Sequence, residues 1–242
     1  MKDRVLSFVW QHVLLFVSLW IMTLGVALCV RSQLGSSVIS SIPYVMTLAG
    51  AEGAVPALTL GGYTNIMNMV LVVLQMAVLR RRFAPVQLFQ LLIGFVFGAL
   101  IDLNMMLTSW VACDTLVSQM VAQLAGCTVM AVGIAFEIRC QSITMPGEGI
   151  TVAISRVTGA AFPKTKIIVD TTLVAIAVVL GYVYFGRWMW MVIGPGTLFA
   201  MVYVGLVVKW ASGCLGWFDR LLAYVPGFRR YIYGLARFVR RG

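Results

Sequence analysis

The sequence predicts an all-α polytopic membrane protein made of two inverted-topology repeats, each of three transmembrane helices plus a short re-entrant or broken helical segment. Three observations carry that expectation. Of 242 residues, 61% are hydrophobic and 11% charged, and the mean hydropathy is +0.97, more apolar surface than a soluble domain of this length can cover. The run Gly25-Val-Ala-Leu-Cys-Val-Arg31-Ser-Gln33 recurs as Gly133-Ile-Ala-Phe-Glu-Ile-Arg139-Cys-Gln141, and glycine, arginine and glutamine at fixed offsets are not what apolar composition alone supplies. Behind each arginine lies a glycine-rich stretch, Ser36 to Gly50 and Gly147 to Ala161. As helices of about 15 residues these reach roughly 22 Å, short of a hydrocarbon core of about 30 Å.

Taken in order, the long apolar runs predict spans at Val13 to Val30, Tyr63 to Leu79, Val86 to Leu107, Leu116 to Ile138, Ile167 to Phe185 and Trp188 to Trp210. The first follows Lys2 and Arg4 as a signal peptide would. It is longer than an h-region of roughly 7 to 15 residues, and no clear small-x-small cleavage site follows, so it is expected to remain as a helix. Lysine and arginine bias decides whether the short segments cross. If both return to their side of entry, with the N-terminus inside, the inner face collects 16 of the 18 basic residues and only Arg31 and Arg187 lie outside. If both cross, Arg80, Arg81, Arg82 and Arg139 also move outside and the split falls to 12 against 6. Re-entry is the expectation, and an odd number of true spans then turns the second copy upside down. A fainter register pairs Asn68 with Asp170, Leu71 with Leu173, Gly94 with Gly196 and Phe97 with Phe199.

The repeats are expected at 1–110 and 111–212. Residues 213–242 read as a basic amphipathic tail, with Phe228, Tyr231, Ile232, Leu235 and Phe238 at helical spacing opposite Arg229, Arg230, Arg237, Arg240 and Arg241. Such a helix suits the anionic headgroups of a cytoplasmic leaflet, and docking of another protein is the alternative. The net charge of +10 would suit a nucleic acid, but the basic residues cluster beside apolar runs instead of along one stripe, so no nucleic-acid partner is expected. Cys29, Cys113, Cys127, Cys140 and Cys214 form no C-x-x-C pair and read as buried thiols, not metal ligands or disulfides. His12, the single histidine, reads as interfacial. No metal or cofactor is expected.

A half-helix inside a membrane has free backbone N–H groups at one end that need protein, water or ligand. The first segment brings Ser36 and Ser37 to such an end, and the second brings Gly147-Glu148-Gly149. Glu148 between two glycines reads as a coupling-ion site or the partner of a cationic substrate, against a plain helix cap. Asp170 and its register mate Asn68 join it as candidate binding residues. Arg31 with Asp102 at the outer end, and Arg139 with Asp170 or Glu148 at the inner end, read as gating charges, against charges snorkelling to headgroups. Asn65, Gln75, Gln87, Gln90 and Asn104 could line a polar pathway, although amides in spans commonly pair across helices.

The Leu34-Gly-Ser-Ser-Val-Ile-Ser-Ser-Ile-Pro-Tyr run, Thr59-Leu-Gly-Gly-Tyr-Thr-Asn, Arg80-Arg-Arg-Phe, Phe97-Gly-Ala-Leu-Ile-Asp102, Met145-Pro-Gly-Glu-Gly and Lys166-Ile-Ile-Val-Asp170 together resemble the YczE/YyaS/YitT-type bacterial integral membrane proteins over about residues 20 to 210. The resemblance implies a bacterial plasma membrane location, with both termini cytoplasmic on the charge argument, and brings no settled activity. Inverted repeats and short segments point to a secondary carrier or exporter of a small polar or amphipathic molecule. The alternatives are a channel or lipid translocator, and a non-transporting subunit that docks a partner through the tail. A second copy of the chain is a further candidate partner. With no nucleotide-binding glycine loop and no histidine pair, an enzyme is not expected.

Overall fold

The computed structural model describes residues 2–140 and 145–215. Among them are eight α-helices and no strand: α1 (Lys2–Ser32), α2 (Val38–Ala51), α3 (Leu60–Leu79), α4 (Phe89–Leu107), α5 (Leu116–Cys140), α6 (Pro146–Thr158), α7 (Phe162–Phe185) and α8 (Pro195–Cys214). Six of them, all but α2 and α6, are long and apolar enough to cross a membrane. The chain is thus a helical protein of multi-pass membrane type. The basic tail from residue 216 onward, the 141–144 connection and the side chain of Arg139 lie outside the described residues.

Local chemistry sets the helix ends. α2 starts after Ser37 in an extended conformation, and Gly35 before it holds φ +133, a turn that a side chain would strain. The Thr59 hydroxyl accepts from the Gly62 N–H at 3.0 Å and opens α3. α3 ends in a single 3₁₀ turn, Arg80–Arg82. Pro146 and Pro195 occupy the first turns of α6 and α8, where a missing N–H costs nothing. Gly159 and Gly186 close α6 and α7 in the left-handed conformation. The last span therefore begins at Pro195, not at Trp188 as its apolar run predicts. Trp188 to Gly194 instead form a connection in which Val192 and Ile193 are buried and the Val192 carbonyl accepts the Ser36 N–H at 2.9 Å.

The centre of the molecule is the α1–α5 crossing. Gly25 lies against Met130, Gly133 against Met22, and Gly126 against Cys29. These pairs run antiparallel, and a Cβ at any of the three glycines would collide with the facing backbone. Between helices in lipid, where apolar burial gives no net drive, this close backbone approach is what holds the pair. Gly25 and Met22 occupy the same places in the first echo that Gly133 and Met130 occupy in the second, so each contact is the other with the copies exchanged.

The remaining packing follows the same exchange. α2 packs on α7 and α6 on α3, α1 on α4 and α5 on α8, α2 on α3 and α6 on α7. One pairing breaks the pattern, since α3 packs extensively on α4 whereas α7 and α8 make no comparable contact. The two short helices meet at their starts, where Ile39 of α2 fills the space beside Gly147 of α6. Around that meeting, Met67, Leu71, Ile150, Val169 and Leu173 form a buried apolar cluster, with Ile39 and Ile42 packed against it.

Candidate functional site

Two polar neighbourhoods surround the facing starts of α2 and α6, and they differ in how far their hydrogen bonds are satisfied. On the α2 side, Ser36, Ser37, Ser40 and Ser41 are all buried. Ser36 donates to the Val192 carbonyl at 3.0 Å, the Ser37 and Ser40 hydroxyls lie 2.6 Å apart, Ser40 reaches the Ser37 carbonyl, and Ser41 donates to the Val38 carbonyl. The two serines expected to bind cargo are thus engaged in securing the α2 turn.

On the α6 side the amides are left over. The Gln75 Nε2 of α3 donates to the Pro146 carbonyl at 3.0 Å, while its Oε1 has no partner. The Gln90 Oε1 of α4 is likewise unpartnered. Both oxygens come within 2.7 Å of the point a Cβ on Gly149 would occupy, so only glycine at this position leaves room for them. Gln75 is 0% exposed and Gln90 2%. Further along the same α3–α4 seam, Asn68 packs on Gly94 with both amide atoms unpartnered, and Asn65 packs on Gly98 with its Oδ1 unpartnered. Leaving one buried polar group unmade costs about 1–3 kcal/mol. The α3–α4 seam thus gathers several such groups away from the surface.

Glu148 stands in the first turn of α6, next to Gly149. It is within electrostatic reach of Lys166 and Asp170 on α7 and of Glu137 near the end of α5. Asp170 itself is ion-paired with Lys166 one turn away at 2.8 Å; its expected pairing with Arg139 falls on a side chain outside the described residues. Glu137, buried at 7% exposure, joins this cluster; it sits inside the second echo where the first copy has Cys29.

Arg31 and Asp102 are not paired with each other. Asp102 accepts from the Thr59 hydroxyl at 2.7 Å and from the Gly61 N–H at 2.8 Å, which anchors the start of α3. Arg31 donates to the Met105 carbonyl at 2.8 Å and lies near Tyr44 of α2. Asn104, a candidate lining residue, bonds Trp20 and Thr23 of α1 instead. Cys29 and Cys127 approach to 3.8 Å across the α1–α5 crossing, a contact that no cysteine spacing announces. The described residues assemble no group of three or more His, Cys, Asp or Glu side chains fit to hold a metal ion.

Gln75 and Gln90 carried a signal the sequence reading did not use. They lie at equal distances from the Arg82–Phe83 peptide, so any hairpin turning there must bring them to one depth. Asn65 with Gly98, and Asn68 with Gly94, are centred on nearly the same turn.

No curated protein and no solved structure matches the chain. A family profile does match, over residues 9–213, which takes in all eight helices' packed portions and excludes the basic tail. The chain accordingly belongs to DUF6198, a family of unknown function.

Proposed function

We propose that this protein is a secondary carrier, not an enzyme, moving a small polar or amphipathic molecule across the membrane by alternating access. The observation that carries the reading is the meeting of two short helix starts, Ile39 against Gly147, with unpartnered amides of neighbouring helices gathered beside one of them. Short helices that begin at the middle of a bundle, and whose first-turn N–H groups face its interior, are how carriers build a binding site without a continuous pore. The exchanged packing of the two copies supports inverted repeats at 1–110 and 111–212, with the second copy rocking against the first. The antiparallel α1–α5 pair is the pivot in this reading. Kinship with the YczE/YyaS/YitT-type proteins, a bacterial plasma membrane and cytoplasmic termini belong to the same proposal.

Two-sided accessibility tests it. In a variant without native cysteines, Ser37→Cys and Thr151→Cys place single thiols at the start of α2 and in the second turn of α6, both positions being buried. A carrier exposes each to a membrane-impermeant thiol reagent from either face of sealed vesicles as it alternates. Reaction from one face alone, or from neither, would end the carrier reading.

A further inference from the structure

Resting on the carrier reading and deepening it, we propose that Gln75, Gln90 and Glu148 form a site for a small monovalent cation, an alkali ion or a primary ammonium group. The donor set is made of oxygens. Two amide oxygens, each on a side chain at least nine-tenths buried, converge on Gly149 and lack partners. The Glu148 carboxylate belongs to the adjacent residue and is the one carboxylate of the set; Lys166 and Asp170, within its electrostatic reach, are already paired with each other.

The amide nitrogen of Gln75 is already bound to Pro146, so its oxygen cannot be exchanged for a donor by turning the amide without losing that bond. A ligand that completes this arrangement must therefore bring positive charge or N–H donors. An anion at the α6 start is disfavoured because Glu148 already answers the positive end of that helix. Divalent and transition metals call for several carboxylate, imidazole or thiolate ligands together, and the described residues provide no such group. Two neutral amide oxygens with one carboxylate match a single positive charge. Asn68, with both amide atoms unpartnered, lies two helical turns along the same face of α3 and continues the polar seam away from the site.

Thermal unfolding of the purified full chain in detergent tests the site. NaCl, KCl and methylammonium chloride are compared at equal concentration with the bulky N-methyl-D-glucamine chloride. At least one of the three small cations is expected to raise the midpoint by about 4 °C or more near saturation. The alkali and methylammonium arms separate an inorganic ion from an ammonium group. Gln90→Met keeps the side-chain volume and removes the unpartnered oxygen. It is expected to raise the midpoint in N-methyl-D-glucamine and to abolish the increment given by the small cation. Glu148→Gln is expected to weaken the apparent affinity about tenfold, the effect of about 1.4 kcal/mol.

No increment from any of the three cations in the wild-type protein would overturn the site, as would an increment that survives in Gln90→Met. Failure here with two-sided labelling of Ser37→Cys and Thr151→Cys intact removes the cation and leaves the carrier. The reverse result assigns the cation site to a protein that does not alternate.

Discussion

Asp102 commits both carboxylate oxygens to the first turn of α3, and Arg31 is held by the Met105 carbonyl, although the two charges share one end of the bundle. Asp102→Ala is therefore expected to lower stability by about 1 kcal/mol, because it strips the partner from the buried Gly61 N–H, whereas the exposed Thr59 hydroxyl can turn to water. The reversed pair Arg31→Asp with Asp102→Arg is expected to recover none of what the single changes lose in midpoint temperature. Recovery in the double variant would show that they act as a pair. Single residues were unevenly legible in the sequence. Charges such as Asp102 and Glu148 stand out against an apolar background, but the partner of a charge is a three-dimensional fact. Asp170 has Lys166 on its own helix, and Asp102 has the Thr59 hydroxyl and the Gly61 N–H, because the nearest hydrogen-bonding group is met before a distant opposite charge. Gln75 and Gln90 were named among the amides of the spans but not singled out, for a different reason. An amide in a span looks like a routine interhelical bond until the structure leaves its oxygen without one.

At the level of elements, the α1–α5 crossing depends on the absence of side chains at Gly25 and Gly133. Since each glycine meets the other copy's methionine, Gly25→Val and Gly133→Val are expected to cost similar amounts, about 1–3 kcal/mol each. Their combination should depart from additivity because both act on one interface. Gly205→Val on α8, where nothing lies within 4 Å, is expected to change stability by less than about 0.5 kcal/mol. Thermal unfolding of the four variants in detergent measures this directly. The helices were mostly readable from apolar length, and the two short ones from their glycine, serine and proline content. The last span was misplaced at its start because apolar residues fill the Trp188–Gly194 connection. Burial against the α2 turn, not membrane spanning, is what makes Val192 and Ile193 apolar there.

Over the whole molecule, nearly every helix pairing in one half has its counterpart in the other, and the exception locates the chemistry. α3 and α4 close on each other along a seam of Gly61, Gly94 and Gly98 that carries the unpartnered amides, whereas α7 and α8 do not close in this way. The exchanged pairings give a common frame, and closure of one seam leaves unpartnered amides beside α6 while the serines beside α2 are bonded among themselves. The echo around Arg31 and Arg139 pointed to the exchange, but nothing in it distinguished the seam, because that depends on which helices touch.

The two short helices returning to their sides of entry is the premise on which the inverted arrangement and the central site both depend. Single cysteines at Glu52, Arg81, Ser109 and Ala160, all exposed, in a variant otherwise without cysteine, report it through labelling by a membrane-impermeant maleimide on intact cells. Glu52→Cys and Ser109→Cys are expected to react from outside, with Arg81→Cys and Ala160→Cys reacting only once the inner face is opened. Only α5 and α6 lie between Ser109 and Ala160, so reaction of Ser109→Cys and Ala160→Cys from the same face would mean that α6 crosses, and would contradict the arrangement.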